Sequence, residues 1–530
     1  MIKTLNRLRT CARSEDGFTM IIALGVMIVT GLLLVASYTA VTGDAKLSRN
    51  EIIQKQAYYA ALGGVQEYEY QLQSNPDYWE TCKTPSNLLS KGKESYETKE
   101  NEYNGHYTIK LLVASTAPGG TKECLTTNPF GSMIQSTGAL ANTFRIESTG
   151  YAGTDKRTVI ATFHVIGFLN YVYFTQYEVE DPTIAGDSTT ECEKYYAERT
   201  KTGAKCQTIL FAKEDSVNGP FHTDDATNVT CSKELNFGRP GHTDSVEING
   251  GTWPACAKGS EPTYNDLKKE PTKGEELKAP ESDKSLRSYV EEENKFTGVT
   301  YLELNGTTKE IAVTNYNKAT KKLEKLKSLK WPKNGLIYVQ TGEGCGYTYT
   351  PEESDESNET SKENECGNVY VKGTYSESLT IAAEDNLIVN GSVYPTSVEG
   401  KLGTEPSGTT TLGLIATEYV RVYHPIKEEG RGGCGNASGS LTNPWIYAAI
   451  LSTSHSFVVD NFGCGENLGE LNIYGAVAQK FRGPVGTSGG TGYIKNYNYD
   501  ERLATDEPPY FLSPLNAGWK VERETGAAPE

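Results

Sequence analysis

Phe221-His222-Thr223-Asp224-Asp225 sets an imidazole beside two carboxylates, the group types that general acid–base and glycosidic chemistry use. Only six histidines occur, at 106, 164, 222, 242, 424 and 455, and no second acidic pair is tied to this one in sequence. The plainer reading is a turn in which Asp and Thr oxygens bind loop amides. The chain also lacks a G-x-S-x-G elbow, an H-E-x-x-H pair and a P-loop. Residues 351–365, PEESDESNETSKENE, carry many carboxylates, but not in EF-hand spacing and without the glycine such a loop needs at its sixth place. No catalytic residue, metal ligand or cofactor is assigned, and the expectation is a protein that is not an enzyme.

Eleven cysteines are present. Cys11 lies in a segment expected to be removed. The rest fall into neighbouring couples: Cys82 with Cys124, Cys192 with Cys206, Cys231 with Cys256, Cys345 with Cys366, and Cys434 with Cys464. None forms the C-x2-C pair of a zinc site. Neighbour pairing is the simplest of many connectivities, and oxidised structural cysteines place the chain outside the cell.

The amino terminus says most. Lys3, Arg7, Arg9 and Arg13 precede an apolar run from Phe18 to Gly43 that holds no charge, about 26 residues and long enough to span a bilayer. The basic flank predicts a cytoplasmic start and an exported remainder. Apolar residues then recur at helical steps through Ala57, Ala61, Val65, Tyr68 and Leu72, until Ser74-Asn75-Pro76 stops the pattern. Phe18 to Gln73 would form a helix of roughly 84 Å, with Gly63-Gly64 bending or fraying its last turns. Glu15-Asp16-Gly17-Phe18-Thr19-Met20 resembles the cleavage region of a type IV prepilin, with a class III leader ending at Gly17 and Phe18 as the first mature residue. Gln56-Ala57-Tyr58-Tyr59-Ala60-Ala61-Leu62-Gly63-Gly64-Val65 is similar to the helix end of PilX-type minor pilins and K-type minor pseudopilins. Glu147-Ser148-Thr149-Gly150 and Lys156-Arg157-Thr158-Val159 look like the strand pair that closes a pilin-like head. Major pilins carry a glutamate at the fifth mature position, which here is Ile22. The resemblance therefore implies a subunit that is not repeated along the shaft, since a buried unpaired amine is costly.

Composition and spacing supply the rest. The 530 residues suggest two or three domains, and Gly, Thr, Asn and Tyr with short β-branched runs favour an all-β body. A net charge of −17 argues against nucleic acid as a partner. The expected fold is α+β and then all-β: a leader at 1–17, a long helix at 18–75 with its transmembrane half at 18–43, a small α/β head at 76–169, and a body at 170–530. Strand candidates such as Leu379-Thr380-Ile381 and Leu387-Ile388-Val389 recur about every nine residues, fitting a right-handed β-helix, with a β-sandwich as the alternative. A charged insertion at 257–296 with a short helix and the acidic loop at 351–365 interrupt this pattern. From Gly413 to Leu512 the chain looks like PilX-like bacterial surface proteins that end in a β-helix and a Pro-Pro-Tyr-Phe tail. In that likeness Tyr510, Phe511 and Trp519 would cap the open end of the solenoid.

The resemblance implies a minor subunit, at the tip or sparsely incorporated, of a type IV pilus-like filament, serving assembly priming or adhesion. A body of some 350 residues would collide with itself at every helical step. Implied partners are other pilins or pseudopilins through the helix, a prepilin peptidase, membrane lipid before assembly, and a surface ligand of unknown kind. The place is a single-pass membrane protein with its body exported, then the cell surface. The alternatives are a pseudopilin of a secretion or DNA-uptake system and a membrane-anchored polysaccharide-active enzyme on the β-helix.

Overall fold

The computed structural model describes residues 18–75, 78–84, 105–114, 122–126, 132–134, 143–165, 167–265, 271–351, 363–429, 433–504, 506–515 and 519–526. The leader expected at 1–17 and residues 352–362 of the acidic loop lie outside these residues.

A single helix, α1, runs from Phe18 to Ser74 without interruption. It ends one residue before Asn75-Pro76, where proline removes a donor and disfavours helix. Its second half buries Ala57, Ala61, Val65, Tyr68 and Leu72, a stripe at steps of three and four. The stripe lies on an antiparallel sheet of β1 (Gly105–Leu112), β2 (Thr143–Ala152) and β3 (Asp155–Val165). Glycine explains how close the two layers come. A Cβ at Gly150 would run into the α1 backbone at Ala57 and Ala61, and one at Gly64 would stand 2.8 Å from the Tyr107 ring. In the space left, the Ser148 hydroxyl donates to the Ala61 carbonyl at 2.7 Å. Gly63-Gly64 therefore does not fray the helix; Gly64 lets it settle onto the sheet.

The fourth strand of this head comes from the far end of the chain. Trp519–Gly526 pairs antiparallel with β3. Trp519 packs on Trp79 and Phe144 in the head core, with ring centroids 5.8 and 4.7 Å away. The expected body of 170–530 thus stops short of its last strand, and Trp519 does not cap the body. Indole burial beside Phe144 stabilises the head instead.

The body is built mainly of parallel ladders, with antiparallel pairings of Glu310–Asn317 to Thr300–Asn305 and Lys322–Lys325 and of Ile426–Glu429 to Gly433–Asn436. One runs through Lys295–Thr297, Leu336–Gln340, Leu379–Ala383, Leu412–Ala416, Trp445–Ser452, Asn467–Arg482, Tyr173–Glu180, Phe221–Thr223 and Val246–Ile248. A second joins Thr300–Asn305, Val369–Tyr375, Leu387–Pro395, Val420–Val422 and Phe457–Val459. A third continues from Asn467–Arg482 through Gly492–Tyr499, Ser216–Asn218, Asn236–Phe237 and Thr263–Tyr264. Alternation along each strand sends one set of side chains inward. Ile337, Ile381, Leu414, Ile450, Val477, Tyr173, Phe221 and Val246 occupy one register and form a buried column.

The ladder order is not chain order. Residues 295–499 stack first and residues 173–264 follow, so a seam forms where Val477 meets Tyr173 and Asn496 meets Ser216. The chain enters from the head at this seam, through the 3-10 turn Phe168–Asn170. Residues 273–294 connect the far end of one stretch to the start of the other. They lie as a strap over the outward face of the first ladder, where Leu277, Leu286 and Val290 cover Phe174, Ala478, Leu451, Ile415, Ala382 and Tyr338. This is the expected charged insertion, and its short helical segments are 3-10 turns at Lys284–Ser288 and Glu292–Asn294. Phe511 packs against the same face, and the Thr380 hydroxyl donates to the Pro509 carbonyl.

Candidate functional site

Two places carry the functional expectations: the first half of α1 and the His222 cluster. From Met20 to Val41 the apolar side chains of α1 are exposed, Ile21, Leu24, Met27, Ile28, Leu32 and Val35 among them. This is the one helix among the described residues long and apolar enough to cross a membrane. Phe18 opens it, and Gly17 lies outside the described residues. Ile22 is 53% exposed, on a stretch with no charged side chain from Phe18 to Gly43. So large an exposed apolar surface marks a contact with lipid or with another apolar surface.

His222 is buried between two carboxylates. Its Nδ1 lies 2.7 Å from Glu247 and its Nε2 3.0 Å from Asp224. Burial alone would push the imidazole down, but these two hydrogen bonds and charges outweigh it and raise it. The Tyr171 hydroxyl donates to the same Glu247 carboxylate at 3.0 Å. Asp224 also accepts the Leu277 amide at 3.2 Å, and Gly274 donates to Asn249 at 2.9 Å. The cluster therefore pins the start of the strap. A Cβ at Gly274 would strike His222 and Glu247, which leaves no room above the imidazole for a substrate. Asp225 points elsewhere. It pairs with buried Arg199 at 2.8 Å and accepts the amides of Glu178, Tyr196 and Ala226.

A second histidine–carboxylate group gave no sequence signal, because its members come from three distant turns. His455 lies 2.9 Å from Asp181 and 3.1 Å from Glu418, while Ser456 and Tyr419 donate to Asp181 at 2.8 and 3.0 Å. Burial lowers the imidazole, yet the hydrogen bonds and charges of the two carboxylates carry it up to about 9. The serine faces the carboxylate and not the imidazole, so the arrangement is not that of an activated nucleophile. Further along the strap, Asp283 accepts from Thr417 at 3.0 Å and Tyr338 at 3.2 Å, and burial pushes its carboxyl up to about 8.

Disulfides join Cys82–Cys124, Cys192–Cys206, Cys231–Cys256, Cys345–Cys366 and Cys434–Cys464, the neighbouring couples read from the sequence. Cys345, Cys366 and Asp385 bring three donor atoms within 4.8 Å of one another. Both sulfurs are spent in a disulfide, so the group cannot bind a metal as thiolates do.

No family model matches the chain, and no curated protein is similar to it. Among solved structures it is similar to the competence-associated pilin ComZ from Thermus thermophilus, at 13% identity and a TM-score of 0.23, with 90% of this chain and 97% of that chain covered. An overlap that loose carries no statement about this chain's fold or role.

Proposed function

We propose that this chain is a minor, tip or sparsely incorporated subunit of a type IV pilus-like filament, a structural protein without enzymatic activity. One observation carries the reading. α1 is divided into an uncovered apolar half and a half buried in a small antiparallel head, so a membrane segment and a folded domain share one rigid rod of 57 residues. A plain anchor needs no such continuity. Before assembly the uncovered half sits in lipid; afterwards it packs on the helices of other pilins. A prepilin peptidase would cut between Gly17 and Phe18. Ile22 supports sparse use, because it offers no charge to a neighbouring subunit's terminal amine.

The body is read as a β-helix, supported by three parallel ladders and an inward column of apolar side chains. Its bulk also favours the tip over the shaft. Its four disulfides, with a fifth in the head, suit an exported body that meets a surface ligand.

A cysteine placed at Leu32 tests the packing. In intact filaments it should cross-link through a short bismaleimide to a cysteine in the helix of another pilin. The same cysteine placed on the body at Lys327 should not. Cross-linking from neither site, with all protein left in the membrane, would overturn the reading.

A further inference from the structure

The seam of the body holds buried charges that the filament reading does not use. Along Gly492–Tyr499 the inward positions are Tyr493, Lys495, Tyr497 and Tyr499, so a lysine stands in a core register among tyrosines. The pairing of Asn496 with Ser216 brings Lys495 opposite Asp215, 280 residues earlier in the chain. Lys495 Nζ lies 3.0 Å from Asp215 Oδ2, and the two side chains are 9% and 3% exposed. The Phe211 ring centroid is 5.7 Å from Nζ, with Val217, Phe237 and Tyr497 in the same core. A hydrophobic pair of the same volume would hold this place at least as well as a buried ion pair. The charges therefore call for a reason.

The geometry points to a modification site: Lys495 and Asp215 form an intramolecular isopeptide bond that staples the two stretches of the body across their seam. The step needs no oxidant, metal or cofactor. In a low-dielectric core, proton transfer within the ion pair yields a neutral amine beside a neutral carboxylic acid. The amine lone pair adds to Cγ of Asp215, the C–OH bond breaks, and the hydroxyl leaves with an amine proton as water. An amide remains.

Three features of the site serve that step. Burial lowers the affinity of Lys495 for its proton, against the opposing charge and hydrogen bond of Asp215. The amides of Lys495 and Ala212 donate to the two Asp215 oxygens at 3.2 and 2.9 Å, placed to hold the oxyanion that forms on addition. Glu178 is fully buried, its carboxyl pushed up by burial, and near enough for its charge to act on Lys495. It is a positioning group for the proton, itself held by Tyr173 and Arg482 at 3.0 and 3.1 Å.

Peptide mapping of the full chain, exported, reduced and alkylated, decides the matter. The expected result is a branched tryptic peptide joining residues 214–233 to 483–502, lighter than the sum of its parts by one water, with no cleavage after Lys495. Asp215→Ala should restore cleavage after Lys495 and give three linear peptides, 214–233, 483–495 and 496–502, and Glu178→Gln should leave a folded protein in which the branched species forms more slowly. Wild-type protein cut after Lys495, with residues 214–233 at full mass, would overturn the assignment and leave a buried ion pair only.

Discussion

Three glycines at the junction of α1 and the head should respond to alanine in opposite senses. At Gly63 an added Cβ meets nothing within 4 Å. Alanine there removes only the excess freedom of glycine in a helix and should stabilise the head by about 0.5–1 kcal/mol. At Gly150 the added Cβ strikes the α1 backbone at Ala57 and Ala61, which has no rotamer to escape into. The helix must lift from β2, with an overpacking cost of about 1–3 kcal/mol. Lifting also weakens the Ser148–Ala61 hydrogen bond, for roughly 1 kcal/mol more. Gly64→Ala falls between, because its obstacles are the Ser148 hydroxyl and the Tyr107 ring, which give a little. Hydrogen exchange of the full chain in detergent reads this directly. Amides of residues 57–72 should exchange roughly two orders of magnitude faster in Gly150→Ala and somewhat slower in Gly63→Ala. Equal protection in all three variants would refute the close approach of helix and sheet.

Stability of the body should fall from neutral to mildly alkaline pH. His455 binds its proton more tightly folded than unfolded, so its contribution is whole below about 6.5 and lost as pH rises to about 9. Asp283 also holds its proton more tightly in the folded chain, so stability declines from the ordinary carboxyl range up to about 8. Asp283→Asn should flatten that second decline in a urea titration across pH and leave the first. Removing Cys82–Cys124, whose partners are 42 residues apart, should cost about 4 kcal/mol, against about 3 for Cys192–Cys206 at 14 residues, measured by urea unfolding. Asp225→Ala strands Arg199 in the core and should destabilise the body by about 3–5 kcal/mol, visible as a lower urea midpoint.

What the sequence reveals and what it hides divide along local and non-local physics. α1 was legible because its signals are local: an uncharged run, then Ala57, Ala61, Val65, Tyr68 and Leu72 at helical steps. The cysteine couples were legible because each closes a short loop. The ladder order was not, since the contact of Val477 with Tyr173 leaves no trace in either segment. Trp519 was misplaced for the same reason: nothing near it says that the last strand returns to β3. At His222 the sequence offered acid–base chemistry beside the plainer reading of a turn, because His-x-Asp-Asp names groups and not surroundings. Its surroundings are the Glu247 carboxylate and Asp224, which holds the strap amide of Leu277, and together they make a latch. Lys495 did leave a local signal, a lysine in the tyrosine register of Gly492–Tyr499.

The central claim is tested most directly by amino-terminal mass spectrometry of the protein from membranes and from sheared surface filaments. A chain beginning at Phe18 and present in the filaments is the predicted result. A chain that keeps Met1 and never leaves the membrane would contradict it, and α1 would then be a plain anchor.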